Sequence, residues 1–319
     1  MKTPWPPVMQ PFSPAEQSGL WRRVKNARGL FLLLAIPVVY VFIFNYIPMY
    51  GVLIAFKQFQ PRLGVWRSPW AGLYNFSRFF SSPNFKIVLS NTLFLSIYGL
   101  VAGFPLPIIL AIFVNHSTLK KTTKTIQSIT FAPYFLSAVL LVGLLTRFFG
   151  MRTGAVNIFL ASLGLKEINF MGSPAIFPHF YIWSGIWQST GYGAIIYISS
   201  LASVDPAYHE AAIIDGATIW QKIWHIDLPT IRPIIMILLI LSMGGILGTS
   251  FEKIYIMQTP LNMKTSEVIA TYVYKVSIGA NRPDYSFGTA IGLFQNVIGI
   301  ILTLTVNKIA NSLTGEGMF

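Results

Sequence analysis

The stretch YHEAAIIDGATIWQKIWHIDLP, residues 208–229, decides how this chain is read. The sequence around it is greasy: 54% of its 319 residues are hydrophobic and only 10% are charged. Yet Asp205, Glu210, Asp215 and Asp227 cluster here in a chain with ten acids in all. Asp205 is a good N-cap, because its side chain can accept from the orphan N–H groups of a first helical turn. Pro206 fits the first helical position, where a missing N–H costs nothing. The pattern predicts a helix over 206–215, a turn at Gly216, and a second short helix over about 217–225. Pro229 is expected to end that helix and Pro233 to start the next apolar segment. Ile213, Ile214, Ile219, Ile223 and Trp224 are too apolar to be left in water. The hairpin therefore reads as a plug for a partner, with Glu210 as its charged handle and the small Ala211 and Ala212 permitting close approach.

Outward from the hairpin, uncharged runs occupy 29–56, 87–119, 125–146, 168–204, 233–251 and 285–307. A hydrocarbon core about 30 Å thick needs about 20 such residues. The mean hydropathy of +0.60 and the lack of a polar face on these runs exclude a soluble helical core. The absence of alternating ten-residue segments excludes a barrel. The expected fold is all-α: six transmembrane helices at about 29–50, 87–114, 125–146, 176–200, 233–251 and 285–307, within a membrane domain over 29–310. The hairpin, in a loop over 203–230, lies outside the bilayer. Residues 1–28 and 311–319 are terminal tails, and the Pro-rich 1–20 reads as loose. No cleavable leader is evident, and with no cysteine the redox compartment stays open.

Arg22, Arg23, Lys25 and Arg28 precede the first span, which favours a cytoplasmic start. Over the whole chain, however, Lys and Arg divide almost evenly between the two sides. The loops opposite the N-terminus carry four acids, Glu167, Glu252, Glu267 and Asp284, and are net basic. A basic outer face concentrates anions, which suits an acidic substrate or docking partner. Residues 66–85, WRSPWAGLYNFSRFFSSPNF, read as a helix lying at the interface, with aromatic rings at headgroup level and Arg67 and Arg78 snorkelling to water.

No Asp, Glu, Lys or Arg sits at the centre of a span, which argues against a proton-coupled carrier. What remains is neutral and aromatic. Trp183 and Trp187 share a helix face, Gln188 and Tyr192 form an adjoining stripe, and Tyr197 follows; the last span offers Gln295 and Asn296. Sugars need flat aromatic faces for their C–H surfaces and amides for their hydroxyls, so these are candidate pathway residues. The competing assignment is interhelical hydrogen bonding. His179 alone makes no catalytic site.

The ungapped pattern Glu210-Ala211-Ala212, three residues, Gly216, nine residues, Ile226-Asp227-Leu228-Pro229 resembles the EAA loop of ABC importer permeases. WAGLYNFSRFF (70–80), YISSLASVDPAYHEAAIIDGA (197–217) and FGTAIGLFQNVIGIILTLTVN (287–307) resemble the carbohydrate, maltose-type branch, near its polysaccharide members. The resemblance covers the chain from about residue 25 onward. It implies the type I importer permease fold in the cytoplasmic (inner) membrane of a prokaryote, with both termini and residues 205–230 cytoplasmic. It further implies that the hairpin couples to an ATPase: Glu210 as polar anchor, Ala211 and Ala212 as close contacts, Asp215 and Gly216 at the turn, Leu228 and Pro229 closing the motif. The sequence has no Gly-x4-Gly-Lys-Ser/Thr loop, so ATP-Mg is expected on partner ATPase subunits and no cofactor or metal on this chain. One chain presents one hairpin, so two ATPase subunits imply a second permease chain; the counting leaves open whether it is identical, and the resemblance to polysaccharide-type importers implies a different one. An extracytoplasmic solute-binding protein, membrane lipid and a carbohydrate complete the expected partners, with no nucleic acid. An alginate or other oligo-uronide permease would suit the basic outer face. The rival classes are an ATP-independent channel or secondary carrier and a membrane-embedded enzyme.

Overall fold

The computed structural model describes residues 27–117, 119–248 and 251–314. The expected loose tail over 1–20 and the charges at Arg22, Arg23 and Lys25 lie outside these residues. The chain divides into two compact units at residues 53 and 54. The first contains most of helix α1 (Arg28–Phe56). From Leu30 to Tyr50 its large apolar side chains are exposed around its circumference, as for a helix solvated by hydrocarbon rather than water. It is regular despite Pro37, and a π-turn at Phe42–Tyr46 precedes Pro48.

The regular elements among the second unit's described residues are helices, with one isolated bridge, Lys57 to Trp70. Its main helices are α2 (Pro83–His116), α3 (Lys121–Phe135), α4 (Ala138–Phe149), α5 (Phe177–Leu201), α6 (Pro206–Ile214), α7 (Ile219–Gly244), α8 (Phe251–Met257), α9 (Ile269–Ser277) and α10 (Tyr285–Thr314). Among the described residues, α1, α2, α7 and α10 are long and apolar enough to cross a membrane, and α3 with α4 would make a fifth crossing. The 25 residues of α5 span about 37 Å at 1.5 Å per residue, but Trp, Tyr, Gln and Ser dilute its apolar character. Helices lie in each of the six expected segments among the described residues, and two of them have a different shape from that expected.

The third is not one straight span over 125–146. Helices α3 and α4 meet at 106°. Pro133 lacks the N–H that would continue the ladder, the chain tightens to a 3-10 turn over Ala132–Phe135, and Leu136 is extended. Ser137 then caps α4, accepting from Leu140 N. Nor does the fifth span start at Pro233. Helix α7 runs unbroken from Ile219 through Pro229 and Pro233. A π-turn over Ile223–Asp227, in which Leu228 N reaches Ile223 O five residues back, widens the helix before the Pro229 ring. That relieves the clash that made Pro229 look like a terminator.

The expected interfacial helix over 66–85 is instead two short helices, Gly64–Arg67 and Tyr74–Phe80, before α2 begins at Pro83. Trp66 and Trp70 are exposed, but Phe79 is fully buried among Val88, Ile269, Phe287 and Ile291. Arg78 keeps its side chain 46% exposed, pairs with Asp284 at 2.5 Å and lies over the Phe287 ring.

Helix α5 is the axis of this unit, with ten buried residues along its length. One end packs with Leu95, Val142, Ile254 and Met257, the other with Ala111 and Ile231. Lipid is as apolar as leucine, so burial alone gives helices in a membrane little reason to associate; close packing and hydrogen bonds must do so. Glycines supply the first. A Cβ at Gly191 would lie 2.0 Å from the Thr130 carbonyl oxygen of α3, and one at Gly103 3.4 Å from Ile186. Side-chain amides and hydroxyls supply the second: Ile269 N donates to the buried Thr92 hydroxyl at 2.9 Å.

Candidate functional site

The hairpin forms as its local chemistry dictates. Asp205 Oδ1 accepts from Ala207 N at 2.9 Å, and Pro206 opens α6. Gly216 adopts φ +72°. Around it Ala217 N donates to Ala212 O and Gly216 N to Ile213 O, the paired bonds that close a helix on a left-handed residue. Thr218 then caps the next turn reciprocally with Gln221, satisfying two orphan donors at once.

The motif residues divide by exposure. Glu210, Ala211, Asp215, Gly216 and Pro229 face outward, and Ala212 and Asp215 border a cavity of about 380 Å³ between the two helices. Around them Tyr208, Ile213, Ile214, Ile219, Trp220 and Trp224 are exposed, Ile214 to 86% and Trp220 to 72%. Leu228 points the other way, packing on the cluster of Ala111, Ala194, Tyr197 and Ile231.

The hairpin is tied to the membrane helices by Asp227, the variable position of the motif. Its side chain is completely buried. Oδ2 meets His116 Nε2 at 2.5 Å, at the end of α2, and Oδ1 faces His209 Nε2 at 3.4 Å, beside Glu210. The carboxylate thus bonds the second arm of the hairpin to α2, while Oδ1 makes no hydrogen bond and lies in contact with the first arm at His209. Sequence reasoning missed this role, because His116 lies 111 residues away.

The second feature is a cavity of about 430 Å³ bounded by α2, α5, the end of α7 and α8. Lys253 enters it from α8. Sequence reasoning placed this lysine in an outer loop; the structure buries it to 5% exposure. Nζ donates to Tyr181 O at 2.8 Å and stands 4.8 Å from the Tyr181 ring. Burial lowers its pKa to about 7 by penalising the charged form.

The proposed pathway residues scatter. Gln188 borders the cavity, and its Nε2 donates to Leu136 O at 2.8 Å, the carbonyl freed where α3 breaks from α4. Gln295 does the same for Leu247 O at 2.6 Å, beyond the end of α7. Both amides meet the requirement that irregular backbone at membrane depth be satisfied by neighbouring groups. Asn296 borders a separate cavity along α10. Trp187 borders another with Leu106 and Phe113, while Trp183 Nε1 donates to Tyr98 OH, which also bonds His179 Nδ1. Tyr192 stacks on Tyr134 with ring centroids 3.8 Å apart, and Tyr197 is buried in packing. The structure therefore brings Gln188 and Lys253 to one cavity and leaves the aromatic candidates elsewhere.

Residues 103–315 match the family described as binding-protein-dependent transport system inner membrane component. Protein LplB of Bacillus subtilis (strain 168) is 40% identical over 93% of this chain and 92% of its own length. The polygalacturonan/rhamnogalacturonan transport system permease protein YteP of the same organism is 34% identical over 97% and 95%. Two crystal structures of a bacterial alginate ABC transporter contain a chain of the same fold. In one, of a transporter importing the acidic polysaccharide alginate, the TM-score is 0.84 at 37% identity over 92% of this chain and 99% of that one. In the other, a complex with an alginate pentasaccharide-bound periplasmic protein, it is 0.85 at 35% over 94% and 99%. The chain belongs to the binding-protein-dependent transport system inner membrane components, the permease subunits of ABC importers.

Proposed function

We propose that this chain is half of the membrane pathway of an ATP-driven importer for an oligo- or polysaccharide bearing acidic sugars. Residues 205–229 face the cytoplasm, as do both termini. A pair of ATPase subunits holds ATP-Mg and grips the hairpin. A second, different permease chain completes the pathway, and an extracytoplasmic binding protein delivers the carbohydrate. ATP closes the ATPase pair, the hairpin passes that movement to α2 and α7, and hydrolysis resets them. This chain performs no covalent chemistry.

The observation that carries the coupling assignment is the hairpin itself. It displays Glu210 amid exposed isoleucine and tryptophan, and is fixed to two spans through the buried Asp227. The acidic substrate is supported by the named substrates of the similar proteins, galacturonans and alginate, whose sugars carry carboxylates.

The test is Glu210→Lys in the assembled importer. Charge reversal at the anchor is expected to lower ATPase co-purification and ATP-driven oligosaccharide uptake at least tenfold, with the permease still inserted. Undiminished association and uptake would remove Glu210 from the coupling role. Uptake that survives deletion of residues 205–230 would make the chain an ATP-independent carrier.

A further inference from the structure

The cavity that Lys253 enters is walled by neutral groups from α2, α5 and the end of α7, and among the described residues no acidic side chain lines it. The four ion pairs among the described residues do not include Lys253. An ammonium buried without a carboxylate forfeits hydration, which the Tyr181 carbonyl and ring replace only in part. Among the described residues its one hydrogen bond, to Tyr181 O, uses one of three donors. Space is kept for it: a Cβ at Gly185 would stand 3.1 Å from Nζ. Two polar groups sit with it. The Ser96 hydroxyl oxygen is enclosed and has no hydrogen-bond partner, and Gln188, whose Nε2 donates to Leu136 O, also lines the cavity. A cation, an unpartnered hydroxyl and an amide are the complement of a sugar carrying a carboxylate and hydroxyls.

We propose that this cavity is a carboxylate station on the transport pathway, in which Lys253 binds the acid group of a uronate-type sugar while Ser96 and Gln188 take neighbouring hydroxyls. The proposal rests on the import reading above and assigns its charge selectivity to one residue. A carboxylate arriving at Nζ replaces the lost hydration, so an acidic sugar gains from this site and a neutral one does not.

The experiment uses the complete importer in proteoliposomes, with trigalacturonate and its trimethyl ester as probes. The readout is the ratio of ATP-driven uptake, acid over ester. Lys253→Met, of similar length but uncharged, is expected to lower that ratio at least tenfold, and Lys253→Arg to keep most of it. Gly185→Ala, which retains the lysine but crowds its ammonium, is expected to lower it several-fold and serves should the methionine variant fail to assemble. A ratio within twofold of wild type in both Lys253→Met and Gly185→Ala overturns the proposal. So does a wild-type importer that shows no preference for the acid. If wild type takes up neither probe with ATP, the import reading itself fails, and this proposal with it.

Discussion

Removing His116 should destabilise the protein more than removing Asp227, although the two form the same contact. The reasoning is electrostatic. Asp227 is wholly buried, and His116 is 16% exposed. Asp227→Ala deletes a hydrogen bond to a charged group, a loss of about 1.5–3 kcal/mol. It also deletes the buried charge, and the histidine left behind can reach solvent. His116→Ala leaves the carboxylate in the interior with only His209 at 3.4 Å, and stranding one member of a buried pair costs about 3–5 kcal/mol. The double variant strands no charge, so it should resemble Asp227→Ala rather than the sum of the two single changes. Equilibrium unfolding of the detergent-purified chain by titration with SDS, followed by tryptophan fluorescence, would give the four values. If Asp227→Ala costs more than His116→Ala, or if the two effects add, the account of Asp227 as a paired buried charge is wrong. The same variants should reduce ATP-driven uptake, because Asp227 bonds the hairpin to α2.

Two glycines should behave oppositely when changed to alanine. At Gly216 nothing lies within 4 Å of an added Cβ, so Gly216→Ala should cost only the left-handed backbone strain, about 1–2 kcal/mol, and leave a foldable chain with a weakened hairpin. Gly191→Ala would drive a Cβ into the Thr130 carbonyl, and inserted, protease-resistant chain should fall sharply; comparable yields for the two variants would contradict this packing. Gln188→Ala and Gln295→Ala should each free a backbone carbonyl at a helix break, costing about 1–3 kcal/mol if the carbonyl stays dry. Hydrogen exchange that rises at residues 136–140 only in the first variant, and at 243–248 only in the second, would confirm the two sites as independent; unchanged exchange would refute both.

The sequence by itself determined the hairpin and the run of apolar segments. Asp205, Pro206 and Gly216 act on bonds to residues at most a few positions away, so their consequences could be read locally. Long hydrocarbon stretches announce a membrane helix whatever they pack against. Only the tertiary structure decided where those helices break and which polar groups meet. Pro133 breaks a span and Pro229 does not, because a π-turn accommodates the second, and a hydropathy window averages over both. Lys253 looked like a loop cation, since its burial depends on Tyr181, 72 residues away. The carbonyl that occupies Gln188 is 52 residues away. A partner distant in the chain leaves no mark on the spacing of its neighbours, whereas an interior low in water makes such a pairing decisive for stability and for what the cavity can bind.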